Sequence, residues 1–167
     1  MKKTLLLLIT AIIATNIAHA QAAWIDYKID SKLSVRLPAA PKVGEDGTAV
    51  STDKDSSMYI VTLIDFQKAA GIDSATLAPL LPQQEFADGI KTGMLGKLPG
   101  FTLGDVKVGK WKIYYSYLMD GGNTEKKLKI YNFMIVIGDE AYSLTALVPD
   151  KNGAKGKDDF FASLRSN

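Results

Sequence analysis

The stretch from Trp111 to Pro149 limits what this chain can fold into more than any other. It holds three runs with strand chemistry, joined by two short polar segments. In the first run Trp111, Ile113, Tyr115, Tyr117 and Met119 alternate with Lys112, Tyr114, Ser116 and Leu118. A period of two marks a half-buried strand. Asp120-Gly121-Gly122-Asn123 is built from residues that tolerate positive φ, which predicts a chain reversal there. Gly138-Asp139-Glu140 predicts a second reversal between Ile137 and Ala141. The expected unit is an antiparallel meander that the rest of the chain covers or extends.

The N-terminus follows another pattern. Met1-Lys2-Lys3-Thr4 is positive, Leu5 to Ile13 is almost wholly apolar, and Ala18-His19-Ala20 is an A-x-A cleavage signature. This predicts a secretory signal peptide over residues 1–20, cut before Gln21, and a single domain over 21–167. The apolar run is shorter than the roughly 20 residues of a spanning helix, so cleavage is expected rather than a retained membrane anchor. Without a twin arginine the general secretory route is expected, ending in a soluble periplasmic or extracellular product. His19, the sole histidine, would leave with the leader, and the chain has no cysteine. A mature form would lack imidazole and thiol, have no cysteine to lipidate, and rely on its core rather than on disulfides. Lys2 and Lys3 also leave, taking twenty basic residues to eighteen against eighteen acidic ones. Bulk charge therefore points to neither nucleic acid nor an anionic membrane.

Along the domain, Trp24 to Ile29 and Leu33 to Leu37 alternate around Asp30-Ser31-Lys32, which predicts an opening hairpin ended by Pro38 and Pro41. Lys42 to Ser57 reads as an exposed loop or a loose hairpin arm through Thr48-Ala49-Val50. Met58 to Phe66 is apolar on both faces and predicts a central strand. After Gly71, Asp73 or Ser74 can cap a short helix reaching Leu80, and Pro82 can open a longer one. On the longer helix Phe86, Ile90, Met94 and Leu98 form one apolar stripe. Gly89, Gly93 and Gly96 flank the stripe at a cost of roughly 1 kcal/mol each relative to alanine, which predicts close approach of that helix to the sheet. Pro99-Gly100 ends it, and Phe101 to Val108 reads as a strand interrupted by Gly104. Asp158 is expected to cap a last helix, Asp159 to Leu164, docked through Phe160, Phe161 and Leu164.

Chemistry is sparse. Without histidine or cysteine, acid–base work falls to carboxylates, Lys or Tyr. Asp139-Glu140 reads as turn chemistry and Asp158-Asp159 as capping, and neither a Gly-x-Ser-x-Gly elbow nor a Ser-x-x-Lys pair occurs. Asp53, Asp55 and Ser57 alternate oxygens but lack the Gly and the later Glu of a calcium loop. Gly93 to Lys97 lacks phosphate-loop spacing. No catalytic, cofactor-binding or metal-binding residue is predicted, and a non-enzyme is expected. Rings at Trp111, Tyr114, Tyr115 and Tyr117 among Lys110, Lys112, Lys126, Lys127 and Lys129 could in principle stack bases. They split between both faces of one strand, and export with balanced charge argues against nucleic acid. What remains is a binding surface. Tyr27, Trp111, Tyr114 and Tyr131 are the candidates, because Tyr and Trp bury area while keeping a polar tip. The bland alternative is that they face a covering helix.

The order of these features resembles the PsbP-like class of exported proteins, including small uncharacterised bacterial secreted members. The resemblance rests on Trp24 with Tyr27, on Leu33-Ser34-Val35-Arg36-Leu37-Pro38, and on Tyr59-Ile60-Val61. The glycine-bearing central helix and Phe160-Phe161-Ala162-Ser163-Leu164 complete it. It covers nearly the whole mature chain by order and texture, not by an exact motif. It implies an α+β fold, with an antiparallel twisted sheet of about six strands covered by helices in an α/β/α sandwich. It also implies a scaffold for binding proteins, with no functional residue carried over. The expectation is an exported accessory protein with an unknown protein partner. The alternative is a carrier holding a small apolar ligand between sheet and helix, near Phe86, Ile90 and Met94.

Overall fold

A computed structural model describes residues 24–167. The expected signal peptide and the residues just after it lie outside the described residues. The chain opens with a hairpin, β1 (Ile25–Lys28) and β2 (Leu33–Leu37), turned by Asp30-Ser31-Lys32 as the sequence predicts. Asp30 Oδ1 accepts the N–H of Lys32 at 2.7 Å and of Leu33 at 2.9 Å, an Asx-type turn. A second hairpin of β3 (Lys42–Val43) and β4 (Ala49–Thr52) leads into β5 (Met58–Asp65). Three helices follow: α1 (Phe66–Ala70), α2 (Ser74–Leu77) and α3 (Gln84–Leu95). Then come β6 (Thr102–Leu103), β7 (Lys107–Trp111), β8 (Tyr114–Asn123), β9 (Leu128–Ile137) and β10 (Glu140–Pro149). Helix α4 (Lys155–Ala162) and β11 (Arg165–Ser166) close the chain.

The fold is α+β and its sheets are antiparallel throughout. The strand count differs from the expected six. Eight strands form one sheet in the order β3-β4-β5-β10-β9-β8-β6, with β7 also on β8, and β1-β2-β11 form a second sheet of three. β6 lies where the sequence put a strand interrupted by Gly104, whereas two-residue strands such as β3 and β11 are too short to show alternation, so only the finished sheet reveals them.

The meander is present as β8-β9-β10, with two changes at its front. Lys112 adopts φ 56°, so the chain turns after Trp111 instead of running on, and Trp111 pairs with Tyr114. Trp111 thereby lies on the opposite face from Tyr115, Tyr117 and Met119, not beside them as alternation implied. Asp120-Gly121-Gly122-Asn123 is not the reversal either. It is the end of β8, and the turn comes at Thr124–Lys127, where Asn123 Oδ1 accepts the Lys126 N–H at 2.8 Å. The turn at Gly138 (φ 67°) is where the sequence put it.

Each face of the large sheet carries its own buried cluster. Tyr59, Val61, Ile135, Tyr142, Leu144, Ala146 and Val148 pack with Leu33, Val35 and Leu37 of β2 and with Phe160 and Leu164. On the other face Tyr117, Met119, Ile130, Met134, Val136 and Ala141 pack with Leu77, Leu81 and Ala87, and the α3 stripe of Phe86, Ile90 and Met94 lies against them. Both faces of β9 and β10 are therefore buried, as expected for strands that carry apolar residues on both faces. Helix α4 starts four residues earlier than predicted, after Ala154 and with no side-chain cap, so Asp158 lies inside it. Gly89 and Gly93 also differ. A Cβ at either would meet nothing within 4 Å, so they face away from the sheet and close approach does not explain them.

Candidate functional site

Helix α1 was not foreseen, and it builds one wall of an open cleft of about 740 Å³. Its cause is local. Asp65 ends β5 and accepts the Lys68 N–H at 2.8 Å, an N-cap, and Gly71 closes the helix in the left-handed region at φ 69°. Asp65-Phe66-Gln67-Lys68 before a glycine is a readable cap pair, masked in the sequence by the strand run that precedes it.

The cleft lies along Val61–Asp65, the end of β5. Tyr27 and Ile29, which pack on the first cluster, border it on one face of the sheet. Lys68 and Ala69 of α1, together with Lys97 beyond α3, border it on the other. The Asp46-Gly47 turn and Glu140 stand at its ends. Its lining is apolar at Tyr27, Ile29, Val61, Leu63 and Ile64 and charged at the rim, a composition and size usual for binding clefts.

The rim carboxylates are already engaged. Asp46 accepts the backbone N–H and the hydroxyl of Thr48, each at 3.0 Å, which holds its carboxyl below the usual range. Glu140 accepts from Lys32 Nζ and from the Tyr142 hydroxyl, the latter at 2.9 Å. The same hydroxyl lies 2.6 Å from Asp30 Oδ2. Burial and these two carboxylates drive the Tyr142 phenol strongly upward, so it stays protonated and donates. Its single proton cannot satisfy both acceptors fully, and the shorter contact marks Asp30 as the main one. The Glu140 contact pushes the Lys32 ammonium above its ordinary value. Asp30, Lys32, Glu140 and Tyr142 therefore form a clasp that ties the β1–β2 turn to the β9–β10 turn. By contrast, Lys68 and Lys97 have no carboxylate within ion-pair distance among the described residues.

The four aromatic candidates do not form one patch. Tyr27 lines the cleft. Trp111 and Tyr114 stack at the β7–β8 turn, with ring centroids 6.5 Å apart at 24°, and Lys112 Nζ sits 4.7 Å over the indole. Tyr131 lies opposite Asp120, six residues along β8 from Tyr114 and hence roughly 20 Å away, with Lys157 of α4 4.9 Å over its ring. Tyr117 lies under α3, 5.7 Å from Phe86, with its hydroxyl donating to Leu81 C=O at 2.7 Å. Ile113 beside the Trp111–Tyr114 pair is strongly exposed at 77%.

The other sequence candidates have structural partners. Asp53 Oδ1 accepts the N–H of Asp55 and of Ser57, both at 2.9 Å, and its Oδ2 lies 3.0 Å from the Tyr59 hydroxyl. Asp158 and Asp159 pair with Lys157 at 2.5 Å and Lys155 at 2.6 Å along α4. Among the described residues no three His, Cys, Asp or Glu side chains converge as a metal site would require, and no helix is long and apolar enough to cross a membrane.

No family model matches this chain, and no curated protein does. A crystal structure from Bacteroides thetaiotaomicron VPI-5482 is similar at a TM-score of 0.49 and 12% identity, over 81% of this chain and 45% of that one. The chain thus spans less than half the length of that neighbour.

Proposed function

We propose that this protein is an exported, non-enzymatic binding or accessory protein, and that the cleft along Val61–Asp65 is where it binds. The observation that carries this reading is the cleft itself: an apolar floor, two facing walls and a rim whose carboxylates are internally bonded while Lys68 and Lys97 are not. The export signature of residues 1–20 and the absence of imidazole and thiol beyond it agree with such a role. The PsbP-like resemblance belongs to the same reading. What supports it is that α1–α3 pack toward one face of the large sheet while α4 and β2 of the small sheet pack toward the other.

The carrier alternative keeps its ligand class but changes its place. Gly89 and Gly93 point away from the sheet and open no space under α3, whereas the cleft is both open and apolar at its floor.

Ala69 is exposed on the cleft wall, so Ala69→Trp fills the cleft without touching either core. Tagged wild type and Ala69→Trp, with matched thermal melts, would be purified from the native envelope. Native mass spectrometry should find a protein or small molecule on the wild type that the variant has lost. Identical retained species on both would sink the assignment of the cleft.

A further inference from the structure

Within the binding role argued above, the ladder of β5 points to the class of partner. Phe66 N–H donates to Asp139 C=O at 2.9 Å, opposite each other in the β5–β10 register. Antiparallel pairing alternates, so Ile64 and Thr62 direct their backbone groups at β10 in the same way. Leu63 and Asp65 must then direct theirs at the other edge. There the neighbour has ended. The β4 pairing stops at Ala49 opposite Val61, because Gly47 at φ 78° turns the β3–β4 hairpin aside. Thr62 still has Thr48 beside it, their hydroxyl oxygens 3.4 Å apart, so Leu63–Asp65, about 10 Å of strand, has a partner on one side and the cleft on the other.

We propose that the cleft accepts an extended peptide segment of a partner protein, added as a strand beside Leu63–Asp65, with apolar and acidic residues alternating along it. The N–H and C=O of Leu63 and the N–H of Asp65 supply two donors and one acceptor for its backbone, the Asp65 C=O being the first acceptor of α1. Such an edge in the open would invite indiscriminate pairing, but here it lies recessed between two walls that select what enters. Side chains of an added strand alternate between those walls. On one side they meet Tyr27 and Ile29, which favours apolar residues. On the other they meet Lys68 and Lys97; Lys97 adds to the hydrogen bonds that hold the Asp46 carboxyl down, but neither cation makes an ion pair among the described residues, which favours carboxylates.

The probe is a capped hexapeptide of alternating valine and glutamate, added to the mature protein and followed by amide hydrogen exchange. In the free protein Leu63 and Asp65 should exchange much faster than Ile64, and the peptide should slow both. Methylating the peptide nitrogens that face β5 should weaken binding about tenfold or more, since each removes a backbone hydrogen bond. Replacing glutamate by lysine should weaken it as well, and the Lys68→Glu, Lys97→Glu double variant should reverse that preference.

The proposal falls if Leu63 and Asp65 are already as protected as Ile64 at high dilution, or if the parent peptide does not bind. It also falls if the methylated peptide binds as well as its parent. Protection of these amides that grows with protein concentration alone would name a second copy of this chain as the occupant, and would overturn it too. Should Ala69→Trp abolish retention of the native species while methylation changes nothing, the cleft stays the binding site and only strand addition is lost.

Discussion

At Gly121 a side chain of any size would overlap the carbonyl oxygen of Thr102, and at Gly122 a Cβ would come within 2.9 Å of Leu128 C=O. The pair serves close strand packing, which is why β8 runs through it rather than turning. Gly121→Ala should cost about 1–3 kcal/mol, read as a lower urea midpoint, because β6 must move away from β8. An unchanged midpoint would show that β6 yields freely. Asp30 makes a prediction about acid. Burial alone would raise its carboxyl, but hydrogen bonds from the Tyr142 hydroxyl and from the N–H groups of Leu33 and Lys32 outweigh that and hold it below its ordinary 3.8. A carboxyl held down on folding adds stability above its unfolded value and loses it as pH falls through the folded one. Asp30→Asn should therefore lower the urea midpoint at pH 7 and flatten its decline below about pH 4. Parallel pH profiles for variant and wild type would remove Asp30 from the clasp. Asn132 is a residue that alternation does not single out. It is fully buried and donates to Ser143 and Thr145 at 2.7 and 2.8 Å, while its Oδ1 has no partner among the described residues.

At the level of elements, α3 combines a good apolar stripe with poor propensity. Phe86, Ile90 and Met94 hold it to the sheet, so burial on one face carries a helix whose other face includes Gly89 and Gly93. Neither glycine has positive φ, and alanine fits both sites without contact. Gly89→Ala and Gly93→Ala should each add about 0.5–1 kcal/mol, seen as a higher thermal midpoint, and the two gains should be close to additive. A loss at either site would mean that the outer face of α3 is occupied in the protein's working state. How much was legible also varied by element. The β1–β2 hairpin, β5 and the short helix capped by Asp73 follow from alternation and capping, and Asp73 does accept the Thr76 N–H at 2.8 Å. The boundary between β5 and α1 did not, since Asp65 ends the strand and caps the helix at once.

In the molecule as a whole, the N-terminal hairpin and the C-terminal segment hold each other in place over the large sheet. β11 pairs with β2, Asn167 N–H donates to Lys32 C=O at 2.9 Å, and Phe160 reaches Tyr59 at 5.3 Å and Trp24 at 6.5 Å between centroids. Phe160→Ala should cost about 3–5 kcal/mol and move Trp24 fluorescence to the red, as the hairpin loses the ring that joins it to α4. A large loss of stability with unaltered Trp24 emission would show that the hairpin is held by β11 instead. The cleft depends on this same assembly, since Tyr27 and Ile29 come from the hairpin and the open edge comes from β5.

Alternation, turn residues and the spacing of apolar positions determined, without any structure, that this chain is α+β around an antiparallel meander. Those signals work because they report each residue's own backbone preference and which side it buries. The tertiary structure alone decided the positive φ at Lys112, the close approach that Gly121 permits, and the two-residue strands β3 and β11. It alone decided the cleft. Tyr27, the Leu63–Lys68 stretch and Lys97 lie in three separate parts of the sequence, and none carries a local mark of the others. An open strand edge is a property of where a neighbouring strand stops, and no residue of β5 itself records that β4 ends opposite Val61.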